Sequence, residues 1–446
     1  MLPNAGPGAN APDQSTPGFR PTRRHLLGAL AAVPLLAATS ACGGGNDSSS
    51  SDKVELSFMW WGAQSRADLT TKALANYTAK HPNVTFKTTW QANQGYYDKL
   101  ATLLAGGNAP DIFQIDDQYL TDYASRGVTL DLTPYSQDKK LDVSKFPKSL
   151  YQYGLVDGKL AAMSFGENTQ GLVWNQTLLD KYRLPAPKTG MSWDDFITWA
   201  ANVSKTTKIP GTQDPSGTYQ ALWVWLRQNG ADFYQGNQLG FDESHITTWF
   251  QLWADARAKG ACPTPDVIHA GNDSSIDKQL VVTGKADTSW VWVNQMPDLK
   301  KNTKDTLGVM AYPGDPSAQW ARASMYFAVY RASKRKDAAV DVINFLANDP
   351  DAGRILGTDR GLPSNLDIRK QVAQEVTDPN MKQTLAVQSE LEGRFGPNSP
   401  AVPPKGNAKV RTELTRIAEE VIYGKATVQK GAAEFLTSAK AAIGQS

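Results

Sequence analysis

The chain has 446 residues, 46 of them Lys or Arg against 44 Asp or Glu, with a net charge of +2, two cysteines and 13 tryptophans. So even a balance gives no electrostatic case for nucleic acid, and two cysteines cannot build a disulfide framework. A large apolar core has to hold the chain, and since one core stops growing at about 250 to 300 residues, two domains are expected.

The N-terminal segment sets the compartment. Arg23 and Arg24 precede an apolar run from Leu26 to Ala38 that Pro34 interrupts. This is short of the roughly 20 residues a spanning helix needs, so the pair reads as a twin-arginine export signal. Ser40 and Ala41 before Cys42 resemble the lipobox of bacterial lipoproteins, although Thr39 departs from its usual aliphatic residue. The expectation is a signal peptide over residues 1–41, diacylation of Cys42 and a flexible Gly/Ser tether over 42–53. The chain would then be exported and lipid-anchored on the outer face of the cytoplasmic membrane, where functions fuelled by ATP or NAD are disfavoured. Loss of residues 1–41 removes Arg20, Arg23, Arg24 and Asp13, which leaves basic and acidic side chains in balance, and Cys262 has no intramolecular partner.

From Val54 the periodicity predicts a strand to Trp60, a helix over Asp68 to Lys80, a strand over Val84 to Trp90, a helix over Tyr96 to Ala105 and a buried strand over Ile112 to Ile115. This βαβαβ order argues for a parallel sheet covered on both faces. Asp116 and Asp117 then fall just past a strand's C-terminal end, where open α/β sheets bind ligands. A second region begins after Gly166 to Trp174. Ser192 is placed to cap a helix whose first turn holds Asp194 and Asp195, read as helix-terminus stabilisers. Further amphipathic helices are expected over Asp337 to Ala347, Val410 to Ile422 and Val428 to Ile443.

No catalytic signature is present: the chain lacks G-x-S-x-G, H-E-x-x-H, a Walker P-loop and G-x-G-x-x-G after a strand. After Cys42 only His81, His245 and His269 remain, in scattered contexts. No catalytic residue, metal site or cofactor is therefore expected. What stands out is tryptophan beside polar residues: Trp60-Trp61 with Gln64 and Arg66, Trp223-Val224-Trp225, and Trp290-Val291-Trp292 with Asn294. Sugar rings have an apolar C–H face and a hydroxyl rim, which aromatic platforms and polar side chains satisfy in turn. The competing reading is that such rings are core, because strand residues two apart share one face. Trp193, Trp199, Trp249 and Trp253 fall in helical segments and read as core.

Several segments in order resemble the extracellular solute-binding proteins of carbohydrate ABC transporters, of the maltose-binding-protein class. These are LAGGNAPDIFQIDDQYL from Leu104, SFGENTQGLVWNQTLLDKYRLPAPKTGMSWDDF from Ser164, GKADTSWVW from Gly284, KDAAVDVINFLANDPDA from Lys336 and RGLPSN from Arg360. The opening WWGAQSRADLTTKAL is most similar to members that look like importers of plant cell-wall oligosaccharides. The resemblance implies an α/β protein with the type II periplasmic-binding fold: two lobes, a hinge and a ligand cleft between them. It places lobe one at 54–165 and 316–350, lobe two at 171–309 and 362–446, and hinge crossings at 166–170, 310–315 and 351–361.

The resemblance also implies ligand contacts. Trp60, Trp61 and Gln64 stand at the end of the first strand. Asp116, Gln118 and Tyr119 follow the third, Glu167 and Asn168 lie in the first crossing, and Trp223, Trp290 and Trp292 are platforms of lobe two. Arg360 at the third crossing reads a hydroxyl or a carboxylate, or forms a hinge salt bridge. The implied function is capture of a sugar or oligosaccharide by a monomer that delivers it to ABC permease subunits and, indirectly, to their ATPase. A non-sugar ligand (peptide, polyamine or glycerophosphodiester) is the alternative within the fold. A secreted glycoside hydrolase using Asp116 and Glu167 is the alternative outside it.

Overall fold

The computed structural model describes residues 53–271, 275–395 and 399–445. The expected signal peptide, Cys42 and most of the tether lie outside them. The elements that position the site are β1 (Val54–Trp61), α1 (Gln64–Lys80), β2 (Val84–Gln91), α2 (Tyr96–Ala105), β3 (Ile112–Ile115), α3 (Leu120–Ser125), β4 (Met163–Asn168) and β5 (Gln170–Asn175). There follow α4 (Trp193–Thr207), α5 (Tyr219–Gln228), α6 (Glu243–Ala258), β6 (Thr288–Trp292), β7 (Leu307–Met310) and β8 (Arg322–Val329). The chain closes with α7 (Lys336–Asn348), α8 (Pro350–Leu356), α9 (Leu366–Glu375), α10 (Pro379–Glu392), α11 (Asn407–Ile422) and α12 (Val428–Ile443).

Two sheets organise the fold. The first runs β2-β1-β3-β8-β4 and the second β6-β5-β7. Strands β1, β2 and β3 are parallel, as the βαβαβ order requires, but β8 enters antiparallel between β3 and β4, so the sheet is mixed. On one face of the first sheet Leu56, Phe58 and Trp60 bury against Leu74 and Tyr77 of α1 and Val340 and Ile343 of α7. On the other, Met59 and Trp61 meet Tyr96 and Leu100 of α2. The period of two separates Trp60 from Trp61 in this way. The second sheet is antiparallel and is packed by tryptophans of α4 and α6: Trp193 and Trp253 meet Trp290, and Trp249 touches both of them. Ser192 caps α4 by accepting from the Asp195 amide, with both aspartates in the first turn.

Three connections join the sheets: β4 to β5 through Thr169, β7 to β8 through 311–321, and α9 to α10. Helix α9 packs with the first sheet, not with the second as the span 362–446 implied. Its Ile368 lies under Gly353 of α8, and the Leu366 amide donates to the carbonyl of Lys145. Beside the first connection, Glu167 and Leu362 exchange backbone hydrogen bonds of 2.7 and 2.9 Å. Glycine makes that approach possible. A Cβ on Gly166 would stand 2.2 Å from the Arg360 carbonyl oxygen, and one on Gly361, whose φ is +99°, 2.4 Å from that of Glu167.

One local reading changes. Trp223-Val224-Trp225 lies on α5, not on a strand. Residues two apart on a helix diverge by about 200°, so Trp223 turns to Trp320 at 4.8 Å between ring centroids and Trp225 to Trp249 at 5.7 Å.

Candidate functional site

Strand β3 carries the chain to Asp116 and Asp117 and then into α3. The Oδ1 of Asp116 accepts from the Gln118 amide at 3.0 Å, which fixes the turn. Asp117, 3% exposed, accepts from the guanidinium of Arg322 at the start of β8 and from Nη2 of Arg411 on α11 at 3.2 Å. Burial pushes the Asp117 carboxyl up, but the two arginines outweigh it and hold the group below the usual carboxylate range. Asp116 goes the other way: burial first, then the charge of Asp117 beside it, pushes it up to about 6.

Aromatic rings sheath these charges. The Arg322 guanidinium lies 4.4 Å over the Trp292 ring and that of Arg411 4.2 Å over Tyr219, arrangements that hold a planar cation against a π face. The Trp223 indole N–H donates to Asp232, and Arg227 lies 5.3 Å over Trp320. Tyr97 and Tyr119 stand 3.9 Å apart between centroids beside Asp116, whose amide donates to the Tyr97 hydroxyl at 3.0 Å. Asp117 and Arg322 come with the first sheet, Trp292 with the second and Arg411 with α11, so the cluster joins the two sheets.

Trp292 connects this cluster to a cavity of 260 Å³ lined by Trp290, Trp292, Gln213, Gln220, Gln295 and Thr415 among others. Thr415 lies one turn beyond Arg411 on α11, and Gln220 lies in the first turn of α5. Among the buried polar atoms of the cluster without a protein hydrogen-bond partner are Asp117 Oδ1, Arg322 Nε, Arg411 Nε and the Tyr326 hydroxyl. In the cavity wall Gln213 Oε1 is in the same condition. Buried polar atoms are nearly always hydrogen-bonded in folded proteins, and a group of them left open at one place marks where water or a ligand supplies the partner.

Of the residues the sequence singled out, Asp116, Gln118, Tyr119 and Trp292 meet here. Gln118 Oε1 lies 3.5 Å from Arg411 Nη1. Trp61 stands one ring away, 5.8 Å from Tyr97 between centroids. Asn168 is the ladder partner of Arg322 and donates to Asn294 Oδ1 at 2.7 Å. Trp290 lines the cavity with one edge but is held in the core, stacked on Trp193 at 5.7 Å with its N–H donated to the Gln213 carbonyl at 3.0 Å.

The others stand apart. Trp60 is fully buried behind the first sheet. Gln64 is exposed and bonds Asp68, and Glu167 forms a 2.8 Å ion pair with Arg369. Arg360 is buried inside the first lobe, donating to Gln114 Oε1 and Thr70 Oγ1 at 3.1 and 2.7 Å. Burial, then the charge of Arg66, lowers its guanidinium to about 9. It also lies 3.6 Å from its chain neighbour Asp359. Asp117 was placed with Asp116 past the end of a strand but was not among the expected ligand contacts. Arg322 and Arg411 carried no local signal, because they reach Asp117 across 205 and 294 positions of sequence.

Comparison with known proteins places this geometry. The pattern of the bacterial extracellular solute-binding proteins matches residues 72–383, and the chain belongs to that family, one of binding proteins and not of enzymes. A lactose-binding protein of Rhizobium radiobacter is 24% identical over 366 residues, covering 77% of this chain and 80% of the relative. A family 1 extracellular solute-binding protein from Alicyclobacillus acidocaldarius superposes with a TM-score of 0.67 at 27% identity, over 88% of this chain and 99% of the other. A periplasmic oligogalacturonide-binding protein from Yersinia enterocolitica, solved with saturated digalacturonic acid, shares the fold with a TM-score of 0.74 at 20% identity, over 87% and 100% of the two chains. No described helix is long and apolar enough to cross a membrane.

Proposed function

We propose that this solute-binding protein is the receptor of a carbohydrate ABC importer, taking a sugar or oligosaccharide between its lobes at the Asp117 cluster and the adjoining cavity. The observation that carries this is the pairing of Trp292 with open buried donors and acceptors, since a pyranose offers an apolar face and hydroxyls that both donate and accept. The relatives described as binding lactose and oligogalacturonide support the same ligand class. Ligand touching both sets of elements favours the closed arrangement by its differential affinity, and a permease that accepts the closed form thereby distinguishes loaded from empty receptor. Diacylation of Cys42 holds the monomer at the membrane beside the permease; two acyl chains suffice for stable anchoring. Lobe one then comprises the first sheet with α1, α7, α8 and α9, and lobe two the second sheet with α4, α5, α6, α10, α11 and α12.

The test is a thermal-shift screen of the chain begun after Cys42 against mono- and oligosaccharides, pectic and xylan fragments included. A sugar present at 100 times its dissociation constant stabilises by about 2.7 kcal/mol. Silence from every sugar, with a peptide or polyamine raising the melting temperature, would overturn the reading.

A further inference from the structure

Resting on that receptor reading, we infer that the site is built for an uncharged sugar and selects against acidic ones. The argument is a count of cations and of open hydrogen-bonding atoms. The three guanidiniums of the cluster are matched by three carboxylates, Asp117, Asp116 beside it and Asp232. Arg322 and Arg411 share Asp117, and Arg227 pairs with Asp232 at 3.5 Å. The guanidinium faces of Arg322 and Arg411 are taken up by Trp292 and Tyr219. A uronate carboxylate entering here finds no unpaired cation. It also meets Asp116, whose carboxyl is already crowded by Asp117.

The cavity beyond Trp292 repeats the pattern. Its described lining is made of glutamine, threonine, glycine, valine and tryptophan, without one charged side chain. The start of α5, at Tyr219 and Gln220, offers backbone N–H groups that favour negative charge, but only within one turn. A desolvated carboxylate needs a paired cation to offset the loss of water.

The open atoms decide the sign. Asp117 Oδ1 and Gln213 Oε1 are acceptors, while Arg322 Nε and Arg411 Nε are donors. The Gln213 amide nitrogen is already committed to the Gly271 carbonyl at 3.1 Å, which fixes its oxygen toward an incoming donor. A hydroxyl both donates and accepts, so it satisfies either kind. An ionised carboxylate only accepts, and it would leave both acceptors open and facing like charge. Arg322, Arg411 and Gln213 thus act together as specificity determinants, two of them by having their charge cancelled.

The experiment uses the mature chain with a mixture of three hydrolysates: neutral xylan fragments, pectic oligogalacturonates and chitosan-derived amino sugars. Protein is separated with its bound sugar, the sugar is released by unfolding, and ion exchange sorts neutral from charged species before mass spectrometry. We expect retention confined to the neutral fraction, with affinity changing less than about twofold between about 20 mM and 300 mM salt, because no ligand charge is there to be screened. Retention of the acidic or the amino fraction, with a salt dependence to match, overturns the inference while leaving the sugar receptor standing. Retention of nothing by a chain that melts cooperatively overturns the receptor reading, and this inference with it.

Discussion

Trp290 and Trp292 share one face of β6, yet the structure gives them separate tasks, and replacing each by alanine separates packing from binding. Trp290 is 9% exposed and touches Trp193, Phe196, Trp253 and Tyr312 with centroids 4.8 to 5.9 Å away. Removing such a ring costs about 3 to 5 kcal/mol, and the Gln213 carbonyl loses its donor as well. The melting temperature of Trp290→Ala should fall on the order of 5 to 10 °C. Trp292 is half-buried and carries Arg322 on its ring, so its removal forfeits a cation–π contact of about 0.5 to 1 kcal/mol with little core. If a sugar stacks on it, a further 1 to 3 kcal/mol is lost, by analogy with aromatic stacking elsewhere, which weakens binding about 5- to 150-fold. Calorimetric titration with a sugar found in the screen, beside urea unfolding of each variant, reads both quantities. Unchanged affinity in a folded Trp292→Ala protein would refute the assignment of the cavity as the ligand site.

Asp117→Asn leaves the Arg322 and Arg411 guanidiniums buried without their carboxylate and should cost about 3 to 5 kcal/mol in urea unfolding; adding Arg411→Met should recover part of that loss, and strictly additive effects would show that the pair is not coupled. Asp287 is wholly buried with neither carboxylate oxygen bonded, and burial pushes it up to about 8. Because its folded value is raised, the stability it contributes is complete below about pH 4 and is lost as pH rises through about 8. The melting temperature should therefore fall between about pH 4 and 8, more steeply than that of Asp287→Asn, and parallel curves would count against it. Gly361→Ala puts a Cβ 2.4 Å from the Glu167 carbonyl oxygen at a φ of +99°, so it should lose more than the roughly 1 to 2 kcal/mol of left-handed strain alone; a loss below that in chemical denaturation would mean the 361–362 bridge yields.

Much of the first lobe was legible because its signals are local. The alternation of β1 and the cap at Ser192 each depend on neighbours within a few positions, and β1, α2, β3, α4 and α12 stand within a few residues of where the pattern put them. The doublet at 116–117 was visible for the same reason, since it ends a strand. Trp223-Val224-Trp225 misled because a short apolar run fits a helix or a strand equally, and the ten-residue α5 resolves it only through Trp320 on one side and Trp249 on the other.

By itself the sequence determined the α/β class, the family and the type of chemistry to expect, because each of these is carried by short runs of neighbouring residues. Only the tertiary structure decided which tryptophan lies against Arg322, that β8 enters the first sheet antiparallel, and that Arg322 and Arg411 converge on Asp117. Those contacts join segments 205 and 294 positions apart. Whether an arginine there is an open anion receptor or a cancelled charge depends on the carboxylate that folding sets beside it.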